Sequence, residues 1–250
     1  KKIGEEKAAL IATNQRYVSI PGGWHSWPCS MVTSLLLSTD KDFGLILCGS
    51  VMGSNYLWNG AKYYDRHANR EFNGFSGNYW QSVFHDIGIP LFSPIDGISE
   101  YGSMSISLDL IKSGEVVYCM GKNGDSCEKC TKCFRREVLQ SVCSSEFKAN
   151  WDNYNSPLIH DFLEKRPLYF GHIFSYARES GKLPTWVTSR IEDVQRIETD
   201  WPINYFPAAL DFCPNGWIEL LSERIKSFFN MMSEEESIEL INWNQYENNL

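Results

Sequence analysis

No apolar run in this chain approaches the ~20 residues that a helix needs to cross a bilayer, so no segment reads as a membrane span. Positive charge is scarce too. The 23 basic residues stand against 31 acidic ones, and a net charge of −8 disfavours a broad nucleic-acid surface. The longest basic patch covers only residues 132–136. No internal repeat is visible, and residues 1–16 are mixed and polar rather than a charged-then-apolar leader. Together these point to the reducing cytoplasm, with no membrane partner expected. What is present suits a folded globular protein with a substantial core: 43% hydrophobic and 14% aromatic residues over a length of 250.

Cysteine is not scarce, and its placement is the most specific signal in the chain. Of eight cysteines, Cys119, Cys127, Cys130 and Cys133 fall in the pattern Cys-x7-Cys-x2-Cys-x2-Cys, followed by Arg135 and Arg136. Tetrahedral Zn²⁺ takes four thiolates at about 2.3 Å, and a Cys-x2-Cys step brings two sulfurs onto one ion. The intervening residues 121–126 are small and polar, as a turn around a metal should be. Four sulfurs close the shell, so the Zn²⁺ expected here is structural rather than catalytic. A disulfide pair or unrelated thiols are the alternatives, and the spacing favours zinc over them. Cys29, Cys48, Cys143 and Cys213 are expected to be free core thiols.

The first half alternates strand-like and helix-like segments. Residues 16–20 are β-prone and stop at Pro21-Gly22-Gly23, and a helix with Pro28 in its first turn is expected to about residue 39. The continuous apolar run 43–48 predicts a strand buried on both faces. A Gly/Ser/Asn-rich loop is expected over 49–77, a helix over 79–87, a strand over 90–94 and a helix over 103–113. Such alternation predicts an α/β domain built on a parallel sheet. After the cysteines a helix is expected from Thr131, then helices at 156–165, 167–180 and 215–232, with residues from 234 onward a solvated tail. The expected division is an α/β domain at 1–145, including the knuckle 119–133, and a helical extension at 146–250. Because the chain opens at a lysine inside ordered-looking sequence, it is expected to be the later part of a longer protein.

This order of parts resembles the later portion of the 7-cyano-7-deazaguanine synthases, of the PP-loop or adenine-nucleotide alpha-hydrolase-like (HUP) superfamily. Ser19-Ile20-Pro21 resembles the family's Val-Pro segment ahead of a helix. Leu47-Cys48-Gly49-Ser50 resembles the Gly-ended strand at its nucleotide site, and Tyr63-Tyr64-Asp65-Arg66 its Tyr-Pro-Asp-Cys-Arg segment. The four cysteines resemble its zinc site. The resemblance covers about residues 17–142, with the cysteines as its specific part. There are departures. Tyr64 replaces a proline, His67 follows without the usual cysteine, and the loop before the second cysteine is shorter. The pyrophosphate loop Ser-Gly-Gly-x-Asp-Ser is missing, because Pro21-Gly22-Gly23-Trp24-His25-Ser26 lacks its serine and aspartate and lies too close to Gly49. That loop is expected upstream of Lys1. These departures and the longer helical tail resemble diverged relatives from specialised biosynthesis or phage-defence gene sets.

The resemblance implies a ligase that uses ATP and Mg²⁺ to adenylate a carboxylate and then transfers nitrogen to it, giving an amide and then a nitrile. Its substrate would be a small carboxylate or purine-like molecule. The alternative is a relative without nitrile chemistry, a nucleotide-binding assembly module with protein partners in a multi-component system. A homodimer is compatible with either. A zinc-knuckle nucleic-acid binder suits the cysteines but not the acidic balance. Gly49, Ser50 and Asn55 lie in a small, polar loop after an apolar strand, where α/β sheets bind ligands, although an ordinary loop reads the same way. Asp65 and Arg66 offer a carboxylate and a guanidinium fork to a heterocycle, or form a surface ion pair. His25 and His67 suit acid–base work or a structural role, and His85, His160 and His172 packing. Trp24, Trp27, Trp58 and Trp80 could stack on a ring but read first as core, and Cys48 as a thiol without a base partner.

Overall fold

The two apolar runs expected to be strands meet as a parallel pair in the computed structural model, which describes residues 45–47, 49, 51–57, 84, 86–113 and 127–243. Strand β1 (Ile46–Leu47) pairs with β2 (Leu91–Phe92) in the register Ile46↔Leu91, Leu47↔Phe92. The Ile46 N–H also donates to the Pro90 carbonyl at 2.9 Å. Parallel neighbours need a crossover connection, which the long separation between these strands allows. Leu91 and Phe92 are buried, but Leu47 is 55% exposed. The expectation of a strand buried on both faces therefore fails at Leu47, because successive side chains of a strand point to opposite faces.

By its contacts the chain divides into two compact units, residues 1–48 with 71–92, and residues 49–70 with 93–250. Both strands belong to the first. The second is mostly helical, so the described fold is mixed α/β with a small parallel sheet. No helix among the described residues is long and apolar enough to cross a membrane.

In the second unit, residues expected to be loop form a short helix instead, α1 (Met52–Asn55), with the Met52 N–H donating to the Ile98 carbonyl at 2.8 Å. Helix α2 (Glu100–Lys112) begins before the expected residue 103 because Ser99 caps it, its hydroxyl accepting from the Tyr101 N–H at 2.9 Å. Helix α3 (Thr131–Cys143) starts where the sequence places it. Helix α4 (Pro157–Glu164) follows Ser156, with proline in its first turn. Helix α5 (Gly171–Glu179) starts later than expected, since Phe170 stands in the left-handed region at φ 60° and precedes the first helical residue. A short α6 (Thr185–Thr188) comes next.

Helix α7 (Ile218–Lys226) is shorter than the expected 215–232, because residues 230–232 leave it to pair with Tyr205. The Tyr205 N–H donates to Asn230 and the Met232 N–H to Tyr205, both at 2.8 Å. The expected solvated tail is corrected outright. Residues 234–242 form helix α8 (Glu234–Asn242), opened by a capping box in which Ser233 and Glu236 satisfy each other's backbone N–H. Leu240 and Trp243 from this end are buried in the core.

One hydrophobic cluster runs from Met52 and Tyr56 to Leu240 and Trp243, so helices on both sides of residue 145 share it. Phe134 is its hub. Its ring lies 5.7 Å from Phe174, 6.1 Å from Trp186 and 5.5 Å from Tyr154, at offset and tilted angles that aromatic pairs favour. Beside it, the irregular stretch 189–197 has its carbonyls held by arginines. Arg178 donates to Ile191 at 2.8 Å and Val194 at 3.0 Å, and Arg166 donates to Arg190 at 2.8 Å. Arg166 also grips Asp193 through two hydrogen bonds.

Those hydrogen bonds hold the Asp193 carboxyl below the ordinary carboxylate range. A depressed pKa stabilises the fold above the unfolded value of about 3.9, and this is lost as pH falls through the lower folded value. The pair is partly exposed, so its worth is about 1 kcal/mol or less. Urea titrations should show Asp193→Asn less stable than wild type at neutral pH, with the gap closing in strong acid. A gap that persists at low pH would refute this account.

Candidate metal centre

The cysteine-rich turn is shaped by one unusual residue and one helix start. Glu128 stands at φ 54°, a left-handed conformation that folds the backbone back between Cys127 and Cys130. Cys130 is the cap of α3, and its sulfur accepts from the Cys133 N–H at 3.4 Å. The cap and the first turn thus place two sulfurs side by side. The Asn153 side-chain amide donates to Glu128 at 2.9 Å and ties the turn to the 3₁₀ helix Trp151–Tyr154.

The sulfurs of Cys127, Cys130 and Cys133 all lie within 4.8 Å of one another. Cys127 and Cys133 are 3.6 Å apart. Four sulfurs set tetrahedrally at 2.3 Å from one ion are ~3.8 Å apart, so this edge fits a zinc–thiolate shell. A disulfide would need about 2.0 Å, and none of the three cysteines is in one. The Cys127 thiol is brought down to about 6, first by the Lys129 backbone N–H and then by the Cys130 side chain, with burial opposing. A thiol so placed is largely thiolate at neutral pH, the form that binds metal. Three cysteines close together could therefore hold a metal ion.

The fourth expected ligand, Cys119, lies outside the described residues, as do Ser50, Asp65, Arg66, His25, His67, His85, Cys29, Cys48 and the tryptophans Trp24, Trp27, Trp58 and Trp80. Gly49 is exposed, and Asn55 ends helix α1. Cys143 and Cys213 are free thiols, and burial pushes Cys143 up to about 12 and Cys213 upward. Such thiols are inert. His160 is in a helix, its ring nitrogens 2.7 Å from Asn155 Oδ1 and 3.3 Å from an Arg190 nitrogen.

Sequence reasoning missed a second constellation. Buried His172, in the first turn of α5, places Nε2 2.7 Å from Glu100 Oε2 at the start of α2. Burial pushes the Glu100 carboxyl up, but the charge and hydrogen bond of His172, with the Arg135 charge, leave it below its ordinary value. Arg135, one turn into α3, lays its guanidinium over the Phe170 ring at 4.1 Å and the Tyr169 ring at 5.1 Å. These residues come from three helices with no shared motif. Only the basic pair after the cysteines hinted at any of them.

Comparison with known proteins gives one match. No curated protein and no solved structure matches the chain. Residues 79–244 match a family of unknown function, DUF6395, a span that takes in both the cysteine cluster and the Glu100–His172 pair. That span is well over half of the chain, and the protein belongs to the DUF6395 family.

Proposed function

We propose that this chain carries the zinc-knuckle portion of an ATP-dependent carbon–nitrogen ligase similar to the 7-cyano-7-deazaguanine synthases, working in the cytoplasm. The observation that carries the reading is the convergence of Cys127, Cys130 and Cys133 at the start of a helix that goes on to Arg135 and Arg136. A parallel strand pair followed in sequence by Gly49 is compatible with a nucleotide-hydrolase-like sheet. With Cys119 as fourth ligand, Zn²⁺ would close the turn and fix the start of α3 while taking no part in the reaction. Gly49, Ser50, Asn55, Asp65 and Arg66 would face substrate or nucleotide, beside a pyrophosphate loop that holds ATP and Mg²⁺. ATP would turn the oxygen of a small carboxylate into a leaving group, and nitrogen would displace AMP.

Two measurements test the two halves of this reading. Elemental analysis should find about one zinc per chain, lost in Cys130→Ser and kept in Cys213→Ala. Acid should release the metal, because protons compete for the thiolates, and chelation should lower the melting temperature of the protein. Metal-free protein of unchanged stability would end the zinc assignment.

The chemistry is tested on the full-length protein by AMP release from ATP, screened across small and purine-like carboxylates with ammonium present. AMP formed only with a particular carboxylate is the expected outcome. Zinc without AMP release from any of them would instead favour the nucleotide-binding assembly module.

A further inference from the structure

The Glu100 constellation holds polar atoms that the fold leaves unanswered. Glu100 Oε2 is taken by His172, but Oε1 is buried and has no hydrogen-bond partner among the described residues. Arg135 Nε and the indole nitrogens of Trp201 and Trp243 share that condition. The four side chains are linked by contact. Arg135 lies on Phe170, whose ring is 6.1 Å from His172, and the His172 ring is 6.2 Å from both Trp201 and Trp243. More than 90% of buried polar groups in folded proteins are paired, and each orphan costs about 1–3 kcal/mol. Nearby polar groups obey that rule: Tyr101 donates to the Ile173 carbonyl and Ser99 to that of Pro202. Orphans gathered around one histidine mark a place built for something else.

Gly53 sharpens the point. A Cβ there would sit 2.5 Å from Glu100 Oε1 and 3.0 Å from Oε2, so only glycine lets the carboxylate keep this position. Next to this carboxylate's partners, Tyr169 is exposed and Phe170 and Arg135 are half-buried.

We infer that Glu100 and Arg135 form a binding site for a small, flat, neutral molecule bearing an amide group. The carboxylate can only accept, so it asks for an N–H, while the arginine Nε–H asks for a carbonyl oxygen. An amide offers both side by side. A carboxylate ligand would bring a second anion, with no N–H to offer, against Glu100. Phe170 and Tyr169, set edge to face, supply apolar ring surface beside the polar pair. This site does not depend on zinc or on the ligase reading.

Benzamide is the probe, with benzoate and acetophenone as controls of the same size. Benzoate adds charge and acetophenone lacks the N–H. Calorimetric titration of the full chain should show saturable benzamide binding, with both controls weaker by about tenfold to a hundredfold, the worth of a charge-assisted hydrogen bond. Glu100→Gln should lose binding to a similar extent. If Glu100→Gln does not fold, Gly53→Ala provides the second variant, displacing the carboxylate without altering charge, and should weaken benzamide in the same way. No saturable benzamide binding, equal binding of all three probes, or a crystal structure in which ordered waters alone satisfy these atoms would overturn the inference.

Discussion

The hydrogen bond from the Cys133 N–H to the Cys130 sulfur decides where helix α3 begins, and much else is referred to that point. A helix leaves its first N–H groups without internal partners, and a capping side chain fixes the residue from which its faces are counted. With Cys130 as cap, Cys133 and Phe134 turn inward, and Phe134 becomes the ring around which Phe174, Trp186 and Tyr154 are arranged. One residue further, Arg135 meets Phe170. A shift of one residue in the cap would rotate this face by about 100° and send the phenylalanine out of the core. The cysteine turn and the aromatic core are therefore one design. The proposed metal would hold the very residue that sets the helix in phase.

Elements with a local signature were legible in the sequence. The cysteine spacing, the start of α3 at Thr131, the apolar runs that became β1 and β2, and the proline that opens α4 all carry their cause within a few residues. Boundaries set by distant partners were not. Helix α7 stops where residues 230–232 leave to pair with Tyr205, a partner no pattern within 215–232 announces. Helix α8 is a different case. Its Ser233-x-x-Glu236 capping box was readable, and the run of glutamates drew attention away from it. Glu100, Arg135 and His172 could not have been joined from sequence, since they are brought together only when three helices pack.

Polar satisfaction separates the two busiest parts of the helical unit. Around residues 189–197, which have almost no regular structure, Arg166 and Arg178 supply donors that a helix or sheet would otherwise provide. A planar guanidinium can reach two carbonyls at once, so a few side chains stand in for a whole ladder of backbone bonds. Around His172, by contrast, regular helices surround atoms left without partners. Arginines answer irregular backbone in one place, and regular backbone frames unanswered side chains in the other. Proteins commonly keep such local inconsistency where they act.

The placement of α8 has a bearing on how the molecule is made. Glu239 receives the N–H groups of Glu198 and Thr199, and Glu236 that of the Asn204 side chain. Trp243 packs beside His172 and Trp201, the ring pair on which the core closes. The chain is synthesised from its N-terminus at about 5–20 residues per second. Until residues 233–243 clear the ribosome tunnel, the His172–Trp201 side of the core and the 198–204 stretch lack the partners that α8 supplies. The nascent protein must keep a largely assembled aromatic core open for several seconds, and a chaperone that shelters exposed rings would have its work to do in that interval.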